Sequence, residues 1–149
     1  LALTAEEAGL LGSSWYSDHP LVPLKQTVFN FNCDGAGYND KTIATIIGME
    51  RTTAEPEIAK ACEAFGLKAV VDPVPEQNLY ERSDNYNFAK KGIPSIFFFS
   101  GVHADYHQPT DTPDKIMFDK MEVIGRHAFH LLWELADRPQ RINVDGKIK

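Results

Sequence analysis

The stretch "IPSIFFFS", residues 93–100, decides the fold class of this chain. A strand with one solvated face alternates apolar and polar side chains, but this run is apolar almost throughout and is predicted to be buried on both faces. Other short β-prone runs alternate along the chain with helical patterns, which is typical of α/β layering. The sequence therefore predicts an α/β fold whose central strand is covered on both sides.

The remaining elements follow from hydrophobic periodicity and from cap and turn residues. Further strands are predicted over residues 1–4, 27–34, 41–48 and 67–75, and helices over residues 6–19, 55–66, 83–92 and 118–135. The last helix has one apolar stripe, formed by Met121, Ile124, Ala128, Leu131, Leu132 and Leu135. The tail, residues 140–149, is expected to add an edge strand or to fray. Cys62 is interpreted as a core residue, and His127 as a packed or surface histidine.

Composition limits the classes of function. The chain has 149 residues and a formal net charge of -6, so a nucleic-acid partner is not expected, because phosphate binding needs a basic face. With two cysteines, no disulfide framework and no cysteine-based zinc cluster can be built. No apolar run approaches the roughly 18 residues of a membrane span. The chain is long enough for one proper hydrophobic core.

Polar clusters follow three of the predicted strands: the pair Glu6 and Glu7, then Asp34, and finally residues 103–107, "HADYH". Functional groups in open α/β sheets collect beyond the carboxyl ends of strands, so we expect the three clusters to converge. Carboxylates and an imidazole are a sensible partial ligand set for zinc. A carboxylate beside the metal that does not bind it could accept a proton from an activated water.

Competing motifs are absent or incomplete. The segment "GAGYND", residues 35–40, begins like a dinucleotide-binding loop, but it lacks the third glycine and a convincing following helix. There is no Walker sequence, no H-E-x-x-H, no C-x-x-C and no G-x-S-x-G nucleophile elbow. A nucleotide-binding enzyme or a serine hydrolase is therefore poorly supported.

Four ordered blocks carry a resemblance to a known family: "TAEEAGLLGS", "NFNCDGAG", "RSDNYNFAKKGIPSIFFFSG" and "HADYHQPTDTPDKI". In this order and at these separations they resemble the M28 family of zinc aminopeptidases. The resemblance implies a three-layer α/β/α sandwich with a mostly parallel mixed sheet, two zinc ions and a peptide substrate. It also implies that residues 1–149 are the C-terminal part of a single peptidase catalytic domain, incomplete at the N-terminus.

The resemblance also implies roles for five residues. Glu6 corresponds to the general base, Glu7 and His107 to ligands of one zinc, and Asp34 to a ligand of the other. Tyr106 corresponds to the residue that hydrogen-bonds the oxyanion in some members. Glu6 and Glu7, although adjacent, would then have different roles, as a base and as a metal ligand, because their environments differ.

Neighbouring residues receive lesser roles. His103 competes with His107 for the ligand role, but the family pattern favours His107, and His103 is expected to support the site or belong to a lid. Asp105 is expected to orient an imidazole. Asp111 is expected to brace its loop through local hydrogen bonds. Ser83 or Asp84 is expected to cap the third helix, with a substrate contact as the alternative.

The family also uses an upstream histidine and a metal-bridging aspartate that this chain does not contain. We therefore expect these 149 residues to be inactive alone, with weak or no metal binding, and to have an exposed sheet edge through which copies could associate. Members of this family are commonly exported, so the resemblance suggests a secreted or periplasmic protein. The alternatives are a non-catalytic binding or receptor module on the same fold, and a carboxypeptidase or a glutaminyl cyclase-like enzyme.

Overall fold

The structure, a computed structural model, describes residues 1–144. Four strands lie at β1 (Asn30–Cys33), β2 (Ile43–Ile47), β3 (Lys68–Val70) and β4 (Ser95–Phe99). Four α-helices lie at α1 (Leu11–Asp18), α2 (Glu55–Ala64), α3 (Asn85–Ala89) and α4 (Phe118–Ala136). Short 3-10 helices occur at Leu24–Gln26, Met49–Arg51, Pro75–Gln77, Leu79–Glu81 and Pro113–Lys115.

The strands form one sheet in the order β1-β4-β2-β3. The pairs β1–β4 and β2–β3 are parallel, and β2 and β4 are antiparallel. The predicted mostly parallel mixed sheet is confirmed. Strand β1, which ends just before Asp34, lies at one edge of this sheet, next to the central strand β4.

Both faces of β4 are buried, as its sequence predicts. Ile96 and Phe98 pack into one core with residues of α2 and α4. Phe97 and Phe99 pack into a second core, which Tyr86 of α3 flanks. Because successive side chains of a strand point to opposite faces, these two cores lie on opposite sides of the sheet. The helices thus cover both faces, and the three-layer sandwich is confirmed.

The extent of helix α4 was predicted correctly, but its buried face differs in part from the predicted apolar stripe. Ile124, Leu131 and Leu135 are buried, whereas Met121 and Leu132 of the predicted stripe are 42% and 40% exposed. The buried face instead includes Lys120 and His127. The ammonium group of Lys120 donates to the backbone carbonyls of Tyr38 and Asp40, and these bonds satisfy its polar end in the interior.

The first ten residues differ from the prediction. Residues 1–4 form no strand, and α1 begins at Leu11 instead of at the glutamates. Glu6 and Glu7 lie in a turn before the helix, where the amides of Gly9 and Leu10 both donate to the carbonyl of Glu6. The chain turns here through three residues with positive φ: Ala5, Gly9 and Leu10. A helix cannot pass through left-handed residues, and this is why it starts later.

The tail contributes to the core before the described residues end. Ile142 is buried, and Val144 forms an isolated antiparallel bridge to Thr52. The rest of the predicted edge strand, residues 145–149, lies outside the described residues. Among residues 1–144, no helix is long and apolar enough to cross a membrane.

Candidate active site

Asp34 directly follows β1 and is held in place by Ser83, which lies just before α3. Its Oδ2 accepts a hydrogen bond from Ser83 Oγ at 3.3 Å, and Ser83 Oγ accepts one from Asn32 Nδ2 at 2.8 Å. Ser83 is 3% exposed, whereas Asp34 itself is exposed to solvent, so the two hydrogen bonds are partly buried. Asp84 occupies the N-cap position of α3 without a side-chain cap. Of the two predicted caps, Asp84 thus has the N-cap position, although it makes no side-chain cap bond, and Ser83 donates its hydroxyl to Asp34 instead.

Tyr106 and His107 lie on the loop that follows β4. Their rings stack with centroids 4.0 Å apart, and the Tyr106 ring also meets Phe99 edge-on at 5.8 Å. His107 has φ +58, a left-handed conformation that side chains rarely adopt. The stack and this backbone geometry direct the imidazole towards the turn that carries Glu6 and Glu7.

The imidazole of His107 meets the carboxylate of Glu7. Nε2 of His107 lies 3.4 Å from Oε1 of Glu7. Two ligand atoms of one tetrahedral zinc ion, each roughly 2.1 Å from the metal, are also about 3.4 Å apart. The pair therefore fits two adjacent positions around a zinc ion. Within residues 1–144, however, no three His, Cys, Asp or Glu side chains are grouped closely enough to hold a metal ion, so the chain's own donor set is incomplete.

Several carboxylates contribute negative charge to the site and affect one another's pKa. Burial is the main cause that raises the pKa of Glu6, and the charges of Asp34, Glu7 and Asp84 raise it further, while His107 opposes them. The pKa of Asp34 is also raised, first by desolvation and then by Glu7 and Asp84, against the hydrogen bond from Ser83. Carboxylates that are this close together and partly desolvated are stabilised by a bound cation.

Tyr106 belongs to the same electrostatic group. Desolvation raises the pKa of its hydroxyl, Arg82 lowers it, and Asp34, Glu7 and Glu6 raise it. The phenol therefore stays protonated near neutral pH and can donate a hydrogen bond. Arg82, whose charge lowers the pKa of this hydroxyl, was not predicted from the sequence to belong to the site.

All five residues with predicted roles border one cavity of about 840 Å³. Glu6, Glu7, Asp34, Tyr106 and His107 lie along it. An apolar part of its wall is formed by Ala36, Leu79, Phe97, Phe99, Ile116 and Met121. An apolar wall beside a few convergent polar groups is the usual make-up of a ligand site. The structure thus brings the predicted residues together, and their individual roles stay predictions.

Two of three nearby residues differ from the expectation. His103 stacks on Tyr38 with ring centroids 3.6 Å apart and borders the cavity, and its supporting or lid role stays a prediction. Asp105 accepts a hydrogen bond from Lys115 Nζ at 2.7 Å. Its carboxylate thus forms an ion pair with a lysine and does not orient an imidazole. Asp111 accepts a hydrogen bond from the hydroxyl of Tyr38, so its partner is distant in sequence where a local one was expected.

The residues that hold the site in place were not predicted from the sequence. Asn39 donates from its side chain to backbone carbonyls of the loop that leads to Tyr106 and His107. It lies in the "GAGYND" segment, which was considered only as a nucleotide-binding loop. A signal was available, because asparagine after a glycine-rich turn is one of the few residues that readily adopt positive φ, and Asn39 has φ +57.

Comparison with known proteins supports this picture. The sequence profile of Peptidase family M28 matches residues 1–132. Aminopeptidase YwaD from Bacillus subtilis strain 168 is 28% identical over 164 aligned positions, which cover 100% of this chain and 35% of that protein. The chain thus spans about a third of the length of this curated relative.

Solved structures of similar proteins agree with the sequence match. An aminopeptidase from Aneurinibacillus sp. strain AM-1 superposes with a TM-score of 0.72 and 26% identity over 96% of this chain and 34% of that one. BSAP, a zinc aminopeptidase from Bacillus subtilis, gives a TM-score of 0.73 and 27% identity over 89% of this chain and 34% of that one. Both similarities extend over most of the fold described above.

Proposed function

Because the chain belongs to peptidase family M28, we propose that the polypeptide containing it is a zinc-dependent aminopeptidase, which removes N-terminal residues from peptides. The observation that carries the proposal is the contact between His107 and Glu7, 3.4 Å apart, on the wall of the cavity that Glu6, Asp34 and Tyr106 also border. The chain's similarity to aminopeptidases, one of them a zinc enzyme, supports the same assignment.

We assign Glu7 and His107 to one zinc ion and Asp34 to a second. The pKa of Asp34 is raised first by desolvation and then by the charges of Glu7 and Asp84, and a bound cation would stabilise the ionised carboxylate against both effects. When bound, zinc supplies Lewis acidity, which polarises the scissile carbonyl and increases the acidity of a water molecule. Ser83 holds the Asp34 carboxylate in one orientation, as residues behind a metal ligand commonly do.

Glu6 is the proposed general base. It accepts a proton from the water that attacks the peptide carbonyl and later delivers this proton to the departing amine, so that water is added across the C–N bond. Burial and neighbouring carboxylates raise its pKa, which brings it closer to the range in which a carboxylate can both accept and donate a proton. The Tyr106 hydroxyl donates a hydrogen bond to the oxyanion as negative charge develops.

The apolar side of the cavity suggests where the substrate side chain lies. Phe99, Ile116 and Met121 form part of the wall beside the polar groups. An apolar N-terminal side chain placed there would lose water-exposed area, at roughly 25 cal/mol per Å² buried. We therefore propose that peptides with an apolar first residue are the preferred substrates.

The 149 residues alone are proposed to be inactive. The chain supplies one adjacent donor pair, Glu7 and His107, and residues 1–144 contain no complete group of metal ligands. A zinc site with two protein ligands is weak, because each missing ligand removes coordination energy and geometry.

The test is a peptidase assay of the full polypeptide with a series of N-terminal residues, with and without a chelator, beside Glu6→Gln. We expect the chelator to abolish hydrolysis and zinc to restore it, and Glu6→Gln to lower kcat by about 10²- to 10⁴-fold. Glu122→Gln, an exposed glutamate of α4 paired with Arg126, is the matched control. Full activity in Glu6→Gln would show that Glu6 is not the base. Hydrolysis that resists the chelator would show that the reaction does not require zinc. Absence of hydrolysis with every peptide would favour a binding module.

A further inference from the structure

The two loops that carry the proposed metal ligands lie side by side. The first, residues 34–40, follows β1 and begins with Asp34. The second, residues 100–107, follows β4 and ends with Tyr106 and His107. Parallel pairing of β1 with β4 extends slightly into these loops, where the amide of Ser100 donates to the carbonyl of Gly35 at 3.1 Å. Beyond that bond, regular backbone pairing ends, and side chains must set the spacing of the loops.

The side chain of Asn39 connects the two loops. Its Nδ2 lies 2.9 Å from the carbonyl oxygen of Ser100, 3.2 Å from that of Gly101 and 3.3 Å from that of Val102. One amide group thus engages three successive carbonyls of the second loop. Gly101, with φ +89, has an ideal Cβ position only 3.2 Å from the same nitrogen, so the backbone approaches this closely because no side chain intervenes.

The loop that carries Asn39 is itself anchored. The ammonium group of Lys120, from α4, donates to the carbonyls of Tyr38 and Asp40, on either side of Asn39. The amide of Tyr38 donates to Ser100 Oγ at 3.1 Å, and its ring stacks on His103. Asn39 therefore extends from a fixed backbone to the start of the loop that leads to Tyr106 and His107.

We propose that Asn39 is a positioning residue, which sets the location of the Tyr106–His107 loop relative to Asp34. It acts through the backbone at residues 100–102 and touches neither substrate nor metal. The consequence for catalysis rests on the proposed peptidase function, whereas the effect on the loop does not. A ligand displaced by about 1 Å can cost a hundredfold in rate, so a residue that sets this spacing affects the chemistry from a distance.

Asn39→Gly is the primary variant, because glycine accepts the left-handed backbone of Asn39 and removes only the amide. The matched control is Asn78→Gly. Asn78 has a similar backbone, φ +54 and ψ 40, is exposed, and has no side-chain hydrogen bond among residues 1–144. The readout is amide hydrogen exchange at Tyr106 and Gln108, which donate to His103 and Asp105 within the second loop at 3.0 and 2.9 Å.

We expect exchange at these two amides to be about fivefold to tenfold faster in Asn39→Gly, as for the loss of one net hydrogen bond. Amides of β2, such as Thr45, should keep their rates, and Asn78→Gly should match the wild type. Asn39→Asp places negative charge against three carbonyls and should accelerate exchange further. Unchanged exchange at Tyr106 and Gln108 would overturn the proposal. Equal acceleration at Thr45 would also overturn it, because it would indicate a general effect on stability.

Kinetics of the full polypeptide separate this proposal from the proposed function. If both are correct, Asn39→Gly lowers kcat by at least about tenfold and changes KM less than twofold, because the apolar wall that holds the substrate is intact. If the wild-type polypeptide hydrolyses no peptide, the proposed function fails, and the exchange result still decides the role of Asn39. Loop acceleration with unaltered kcat would overturn the catalytic part of the inference alone.

Discussion

The imidazole nitrogen Nε2 of His107 lies 3.4 Å from the carboxylate oxygen Oε1 of Glu7. One residue sits in the turn before α1 and the other on the loop after β4, so the fold alone brings them together. Both side chains are well exposed, at 50% and 78%, and an exposed ion pair contributes little to stability. The contact therefore adds little to the stability of the fold, and its geometry fits the proposed role of both residues as ligands of one zinc ion.

This relationship predicts coupled losses of zinc affinity. In the full polypeptide, Glu7→Gln and His107→Ala should each weaken zinc binding at least tenfold, because each removes one ligand of the same ion. The double variant should lose less than the sum of the two free-energy changes, because the second substitution acts on a site already broken. Calorimetric titration of the metal-free polypeptide measures all three values.

Thermal unfolding provides the control for that experiment. The melting temperatures of the metal-free single variants should stay within about 2 °C of the wild type, because exposed pairs contribute roughly 0–1 kcal/mol. Additive losses of zinc affinity would contradict a shared ion.

Ser83→Ala should disturb Asp34 specifically. The hydrogen bond from Ser83 lowers the pKa of Asp34 against several opposing effects, so its removal should raise that pKa further. Stability should fall by about 1 kcal/mol, because Asn32 Nδ2 loses its acceptor in a partly buried place. Carbon-detected NMR titration of the Asp34 carboxyl group gives the pKa, and urea unfolding gives the stability.

Ser17→Ala is the matched control for Ser83→Ala. Ser17 is also buried, and its hydroxyl bonds only to the carbonyl of Ser14 within α1. This variant should leave the titration of Asp34 unchanged. An unaltered pKa of Asp34 in Ser83→Ala would mean that the observed hydrogen bond does not restrain the carboxylate.

Most of the fold was predictable because its signals are local and periodic. The continuous apolar run of β4 implied burial on both faces, and the pattern of α2, with Pro56 at its start and Gly66 after its end, gave that helix nearly to the residue. The start of α1 was not predictable, because left-handed backbone at Ala5 and Leu10 leaves no pattern in side-chain polarity. Burial of Lys120 was missed because its carbonyl partners belong to a distant loop.

Sequence patterns brought out the residues that border the candidate site, but not the residues that hold them in place. The rule that functional groups gather beyond strand ends placed Asp34 near the loop of His107, and both border the same cavity. The bonds of Ser83 and Asn39 join segments that are far apart in sequence. A serine before a helix carries a local capping signal, and nothing in the sequence indicates that a carboxylate in another loop takes its hydrogen bond instead.

Gly48 should be intolerant of any side chain. Its φ is +87, and a Cβ built there would lie 2.3 Å from a ring carbon of Tyr80. That ring is buried and is covered by the guanidinium group of Arg51 at 4.2 Å, so it has little room to move. We expect Gly48→Ala to cost about 3 kcal/mol or more, since strain in the left-handed region, roughly 1–2 kcal/mol, adds to the overlap.

Gly66→Ala separates these two contributions. Gly66 also has positive φ, +69, but nothing lies within 4 Å of its Cβ position. This control should cost only the backbone strain, about 1–2 kcal/mol. Urea unfolding of both variants gives the comparison, and equal losses would show that the Tyr80 ring yields freely.

Stability should fall in acid because of one buried histidine. His127 is fully buried, and this burial, with a smaller effect of His130, lowers its pKa to about 4. In the unfolded chain the same group has a pKa near 6.5, so below that pH the unfolded state binds a proton that the folded state does not. The stability that depends on a neutral His127 is therefore complete above about pH 6.5 and is lost progressively down to about pH 4, and the total amounts to about 3 kcal/mol. Urea unfolding at pH 7 and pH 4.5 measures this effect. Between these two pH values the wild type should lose more stability than His127→Leu by nearly this amount. The control His19→Ala, at an exposed histidine, should lose as much as the wild type. Equal losses in His127→Leu and the wild type would mean that His127 can be protonated inside the fold.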